Sequence, residues 1–144
     1  MSAQSQKRPL GIAVLSIFFL VGSLISFTAG LSLLIPGGFL EPIWRLNSHG
    51  HEGLLRIGFW AIVLLFAASA SCAAAAFGLW RGSRWGHIVA ITLITINFLS
   101  DLINTILGIE RRAIFGVPIA LAILLYLMSR RVRNYFAQDA FEST

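Results

Sequence analysis

Apolar residues in this chain fall in four long runs. They show neither the two-residue alternation of half-buried strands nor the narrow stripe of an amphipathic surface helix. The first run extends from about 10 to 35 and is stopped by Pro36-Gly37-Gly38. The second covers about 58–80 and ends at Arg81-Gly82-Ser83-Arg84. The third covers about 88–109 and ends at Glu110-Arg111-Arg112. The fourth, about 113–129, is the shortest and is closed by Arg130-Arg131-Val132-Arg133. A helix crossing the hydrocarbon takes about 20 apolar residues. The pattern therefore predicts a single-domain, all-α polytopic membrane protein: a bundle of four transmembrane helices with short loops. The first run exceeds the roughly 7–15 residues of a cleaved signal's apolar core, so it is expected to be retained. The outer loop, 36–57, is the one sizeable connection. Within it Glu41-Pro42 followed by Ile43, Trp44, Arg45 and Leu46 predicts a short interfacial helix with proline in its first turn.

Composition narrows the class further. Of 144 residues, 57% are hydrophobic and only 12% charged, with a mean hydropathy of +0.81. That is about half the charge of a soluble domain, which excludes an ordinary soluble enzyme, a disordered chain and a single-span anchor bearing a globular head. The net charge is +5, but the cations cluster beside apolar runs instead of forming a basic face. They are expected to contact anionic lipid, and no nucleic-acid partner is expected. Lys7, Arg8, Arg81, Arg84, Arg130, Arg131 and Arg133 mark one side of the membrane; Arg45, Arg56, Arg111 and Arg112 mark the other. The positive-inside rule then puts both termini and the 81–87 turn in the cytoplasm. Trp80, Trp85 and Tyr135 fall at the inner boundary, with Trp44 and Trp60 at the outer one. Arg81, Arg84, Arg130, Arg131 and Arg133 are the expected topology anchors. The lone Cys72 excludes an intrachain disulfide and reads as a small packed hydrophobe.

Small residues predict how the first two spans associate. Gly22, Ser26 and Gly30 recur every four residues, and Ala67–Ala76 is a run of small side chains. In lipid, close backbone approach is a main source of helix association. The stripe predicts tight packing of these spans within one bundle, with a seam between copies as the alternative. No repeat relates the two halves, so an inverted-repeat transporter is not expected.

Asp101 is the residue that most resists a bland account, as the one acid or base inside a span. Asn97, Asp101, Asn104 and Gly108 stand at i, i+4, i+7 and i+11, one polar stripe on the third helix. An intramembrane acid is costly and marks function by default. The competing account has Asp101 bonding Ser26, Ser69 or the flanking asparagines to fix helix register. The stripe is expected to face the bundle interior. His49, His51 and Glu52 are of metal-ligating type; the competing account is a flexible polar turn capped by Ser48 or Asn47. Arg81-Gly82-Ser83-Arg84-Trp85-Gly86-His87 reads as a tight inner turn, with an anionic-lipid or phosphate site as the alternative. The chain has no Gly-rich phosphate loop, no HExxH pair, no GxSxG turn and no paired intramembrane histidines. Neither an enzyme nor a cofactor is expected.

The stretches Phe39-Leu40-Glu41-Pro42-Ile43-Trp44-Arg45-Leu46-Asn47, Gly78-Leu79-Trp80-Arg81-Gly82, Arg84-Trp85-Gly86 and Gly116-Val117-Pro118-Ile119-Ala120, with Asp101 and Asn104 between them, carry a resemblance. From about Arg8 to Phe136 the chain resembles a group of small bacterial four-helix integral membrane proteins with no assigned activity. The resemblance implies a bacterial cytoplasmic membrane and transfers no catalytic residue. The functional expectation is a non-enzymatic accessory or scaffold protein working through helix–helix and lipid contacts, as a homo-oligomer or in a larger membrane complex. The alternatives are a small oligomeric proton- or cation-linked transporter or channel using Asn97, Asp101 and Asn104, and a binder of lipid or a hydrophobic small molecule.

Overall fold

A computed structural model describes residues 8–46, 48–108 and 113–142. Lys7, Asn47, Glu110, Arg111 and Arg112, named above as anchors, caps or boundary charges, lie outside the described residues. Every regular element among the described residues is helical. In chain order they are α1 (Leu10–Leu34), a 3-10 helix (Glu41–Leu46), α2 (Ser48–Ile57), α3 (Phe59–Arg81), α4 (Arg84–Ile106), α5 (Ala113–Met128) and α6 (Arg130–Glu142).

Three of these, α1, α3 and α4, are long and apolar enough to cross a membrane, with 25, 23 and 23 residues. At 1.5 Å per residue each is about 35 Å long, enough for a hydrocarbon core of about 30 Å. Less than a third of the most apolar stretch of each is buried. Side chains such as Leu24, Ile25, Leu64, Phe77, Ile88 and Ile96 stand half or more exposed. So much uncovered apolar surface has no place in water. The fourth run differs from the other three. With 16 residues α5 is about 24 Å long, short of a crossing, and only together with α6, bent 50° from it, does it pass the same length test.

Helix ends follow the glycines, and this moves two expected boundaries. Gly82 stands at φ +75°, donating from its N–H to the Leu79 carbonyl (3.1 Å), while the Ser83 N–H reaches back to Gly78 (2.9 Å). This is a Schellman closure. Ser83 is already extended at the N-cap position of the next helix, its hydroxyl turned back to the Gly78 carbonyl, so α4 begins at Arg84 and not near 88. Its far end comes at Ile106, with Gly108 at φ +65°. Between α1 and α3, the expected flexible turn at His49–Glu52 is instead the first half of α2, which Gly58 ends at φ +64° with its N–H on Leu54 and Leu55.

The chain divides into two compact units. The first comprises Met1–Ile17 and Ala74–Thr144. Its buried side chains include Ile12, Leu15, Ala75, Leu79, Ala90, Ile94, Leu127, Val132 and Phe136. Within it α4 and α5 run antiparallel: Asp101, late in α4, meets Gly116, early in α5, while His87, early in α4, meets Leu127, late in α5. The Tyr126 ring of α5 fills the space a side chain at Gly11 would occupy. At the α3–α4 turn the two backbones themselves come close, because a Cβ on Gly78 would run into the Gly86 backbone and the reverse.

The second unit is Phe18–Ala73. Here α1 and α3 are also antiparallel, through the small residues that predicted it. Gly22 faces Cys72, and Gly30 lies under Phe66 and Leu65. Between those contacts the Ser23 hydroxyl donates to the Ser69 carbonyl and the Ser69 hydroxyl to the Ser23 carbonyl, both at 2.9 Å.

Candidate functional site

The polar stripe of α4 is only partly covered. Asn97 is exposed, whereas Asp101 and Asn104 are half-buried. Because α4 ends at Ile106 and not near 109, Asp101 stands five residues before its C-terminal end, about 8 Å along the axis. It is therefore nearer the end of the helix than its middle. Its carboxylate lies over Gly116, in the first turn of α5, in the space a Cβ there would fill. Helix N-termini carry unsatisfied N–H groups and a partial positive charge, so the location favours an anion. Among the described residues the Asp101 carboxylate has no hydrogen-bond or ion-pair partner. Its backbone carbonyl accepts from the Thr105 hydroxyl at 2.7 Å.

The serines named beside Asp101 both belong to the second unit. Ser69 is buried and committed to Ser23 through the reciprocal pair. Ser26 is half-buried one turn further along α1. Of the three candidate metal ligands, His49 and Glu52 are exposed. His51 is half-buried and stacks on Trp44 with ring centroids 4.6 Å apart and planes 11° from parallel. No group of three or more His, Cys, Asp or Glu that could hold a metal occurs among the described residues. Trp44 does not lie free in the interface, since its indole N–H donates to the Ser32 hydroxyl at 2.7 Å and ties the 3-10 helix to α1. The five arginines expected as anchors are all exposed. Arg81 lies over Phe77 at 5.4 Å, and Arg8 covers Trp80 at 4.7 Å.

A buried histidine was not anticipated. His87 sits in the first turn of α4 at 7% exposure, and its Nε2 donates to the Leu127 carbonyl at 2.8 Å. Leu127 is in the last turn of α5, where carbonyls lose their helical partners, and the 50° break that follows leaves this one for a side chain. The other element at the break, α6, lays Phe136 flat on the imidazole at 4.6 Å and 14°. One side chain thus joins three helices. Ser129, at the break itself, has a buried hydroxyl with no hydrogen-bond partner. Reading Arg130 to Arg133 only as a topology signal hides α6. The signal that finds it is Val132, Tyr135 and Phe136 at i, i+3 and i+4, an apolar face within a cationic stretch.

Chemically, His87 and Asp101 of α4 do not form a relay. His87 and Asp101 are fourteen residues apart, about 21 Å along the axis, whereas direct proton transfer needs hydrogen-bond distance. His87 is consumed in holding the break between α5 and α6. The stripe around Asp101 retains unused hydrogen-bonding capacity.

No family model, no curated protein and no solved structure matches the chain.

Proposed function

We propose that this chain is a four-span integral membrane protein acting as a non-enzymatic accessory or scaffold, recruited by its partner through the polar stripe of α4. In this reading α5 with α6 supplies the fourth crossing, and both termini are cytoplasmic by the charge bias. The bacterial inner membrane as its location rests on the sequence resemblance alone. The observation that carries the proposal is the state of Asn97, Asp101 and Asn104: exposed or half-exposed, with a carboxylate that has no partner among the described residues. Polar side chains uncovered on an apolar helix are costly to leave facing lipid and commonly bond across to another helix. The contrast with Ser23 and Ser69, which satisfy each other, supports the same reading.

The test is native mass spectrometry of the full chain from mild detergent, alongside proteoliposome flux measurements. The proposal expects an assembly in the wild type that Asp101→Asn weakens, with no transport by either protein. Proton or cation flux that depends on Asp101 would overturn it in favour of a channel or transporter.

A further inference from the structure

The 3-10 helix and α2 enclose a groove of about 490 Å³, lined by Gly38, Glu41, Pro42, Trp44, Arg45, Ser48, His51 and Glu52. Its wall is aromatic and fixed: Trp44 is stacked on His51 and hydrogen-bonded to Ser32. Three charged side chains, Glu41, Arg45 and Glu52, line the same opening. Among the described residues no ion pair joins them to each other or to anything else. Glu41 and Arg45 stand four apart, a spacing at which ion pairs form readily on an α-helix. On the 3-10 helix, with three residues per turn, side chains four apart are not aligned. The groove therefore offers two carboxylates and one guanidinium without mutual neutralisation.

Its place along the chain determines what meets it. The segment joins the end of α1 to the start of α3, both long enough to cross a bilayer, which puts it at headgroup level. Flanking apolar side chains, Phe39 at 95% exposure and Phe59 at 72%, are uncovered and suited to the acyl boundary. A ligand at that depth matching this lining carries a cation and an anion a few bonds apart. We infer that the groove holds the ammonium–phosphate headgroup of an ethanolamine phospholipid. The primary ammonium, with three N–H donors, is bound by Glu41 and Glu52, the phosphate by Arg45 and the Ser48 hydroxyl, and the Trp44–His51 pair forms the wall. The inference uses only the membrane crossing of α1 and α3, so it stands or falls separately from the role of the α4 stripe.

The experiment is native mass spectrometry of the full chain purified in mild detergent and mixed with equal amounts of phosphatidylethanolamine and phosphatidylglycerol. The wild type is expected to retain the ethanolamine lipid preferentially. In Glu41→Gln/Glu52→Gln this retention falls about fivefold and the preference disappears, the loss expected for two partly exposed charge contacts. Arg45→Gln lowers retention of both lipids. Circular dichroism and thermal midpoints unchanged in the variants, all altered at exposed positions, show that the groove and not the fold was lost. An undiminished ethanolamine preference in the double variant would overturn the assignment. So would saturation of the groove by soluble phosphoethanolamine with no phospholipid retained, which identifies a free phosphoamine as the ligand.

Discussion

The seam between α1 and α3 and the C-terminal half of α4 are built from similar materials and end in opposite states. In the seam, Ser23 and Ser69 each donate to the other's backbone carbonyl, and glycines at 22 and 30 bring the helices close enough for that exchange. Each hydroxyl proton in the pair is used. On α4, Asn97, Asp101 and Asn104 occupy one face with comparable polarity, and the Asp101 carboxylate, over Gly116 of α5, has no hydrogen-bond partner among the described residues. Polar groups inside an apolar medium hold a fold together when they are paired and invite a further partner when they are not. The seam is thus internally satisfied, and in the proposed function the α4 stripe is the surface that meets a partner.

The comparison can be broken most violently at the backbone contacts that support it. In Gly86→Ala the new Cβ enters the backbone at Gly78 and Leu79, atoms that have no rotamer to yield. A loss of about 3 kcal/mol or more is expected by denaturing-detergent titration, at the upper end of overpacking costs. His87→Ala comes next, because it leaves the Leu127 carbonyl unpaired at the α5–α6 break and strips the stack from Phe136. About 2 kcal/mol is expected, with His87→Gln recovering part of it through its amide donor. Ser23→Ala or Ser69→Ala should cost about 1 kcal/mol each. Because the hydroxyls also touch each other at 3.2 Å, the double variant should lose less than the two single losses combined. Asp101→Asn is expected to change stability least, by no more than about 0.5 kcal/mol, since it breaks no hydrogen bond of the described fold. A destabilisation by Asp101→Asn as large as that of His87→Ala would make the stripe structural and erase the distinction.

Much of the helical framework was legible in the sequence because apolar length and small-residue spacing are local signals. The runs at 10–35, 58–80 and 88–109 became α1, α3 and α4, and the glycine-and-serine spacing of α1 anticipated its packing on α3. The other features depend on long-range pairing. His87 looks like the end of a cationic turn until Leu127, forty residues on, is seen to lose its helical donor. His49, Gly50, His51 and Glu52 read as a polar turn, and their helix is anchored through the stack of His51 on Trp44. The stripe of α4 was visible as a periodicity, whereas its coverage depends on where α5 begins and on the gap at Gly116. Periodicity assigns a residue to a helix face; it does not say what covers that face.

The most direct measurement of the central claim is thiol labelling in native membranes. On a Cys72→Ala background, Asn97→Cys and Ile96→Cys are compared for reaction with a membrane-permeant, lipid-partitioning maleimide. Both positions are exposed in the isolated chain, Ile96 at 60%. The account predicts that the thiol at 97 is protected relative to the thiol at 96, and that Asp101→Asn removes the protection. Equal labelling of the two positions, unaffected by Asp101→Asn, would contradict the claim that the α4 stripe is covered by a partner helix.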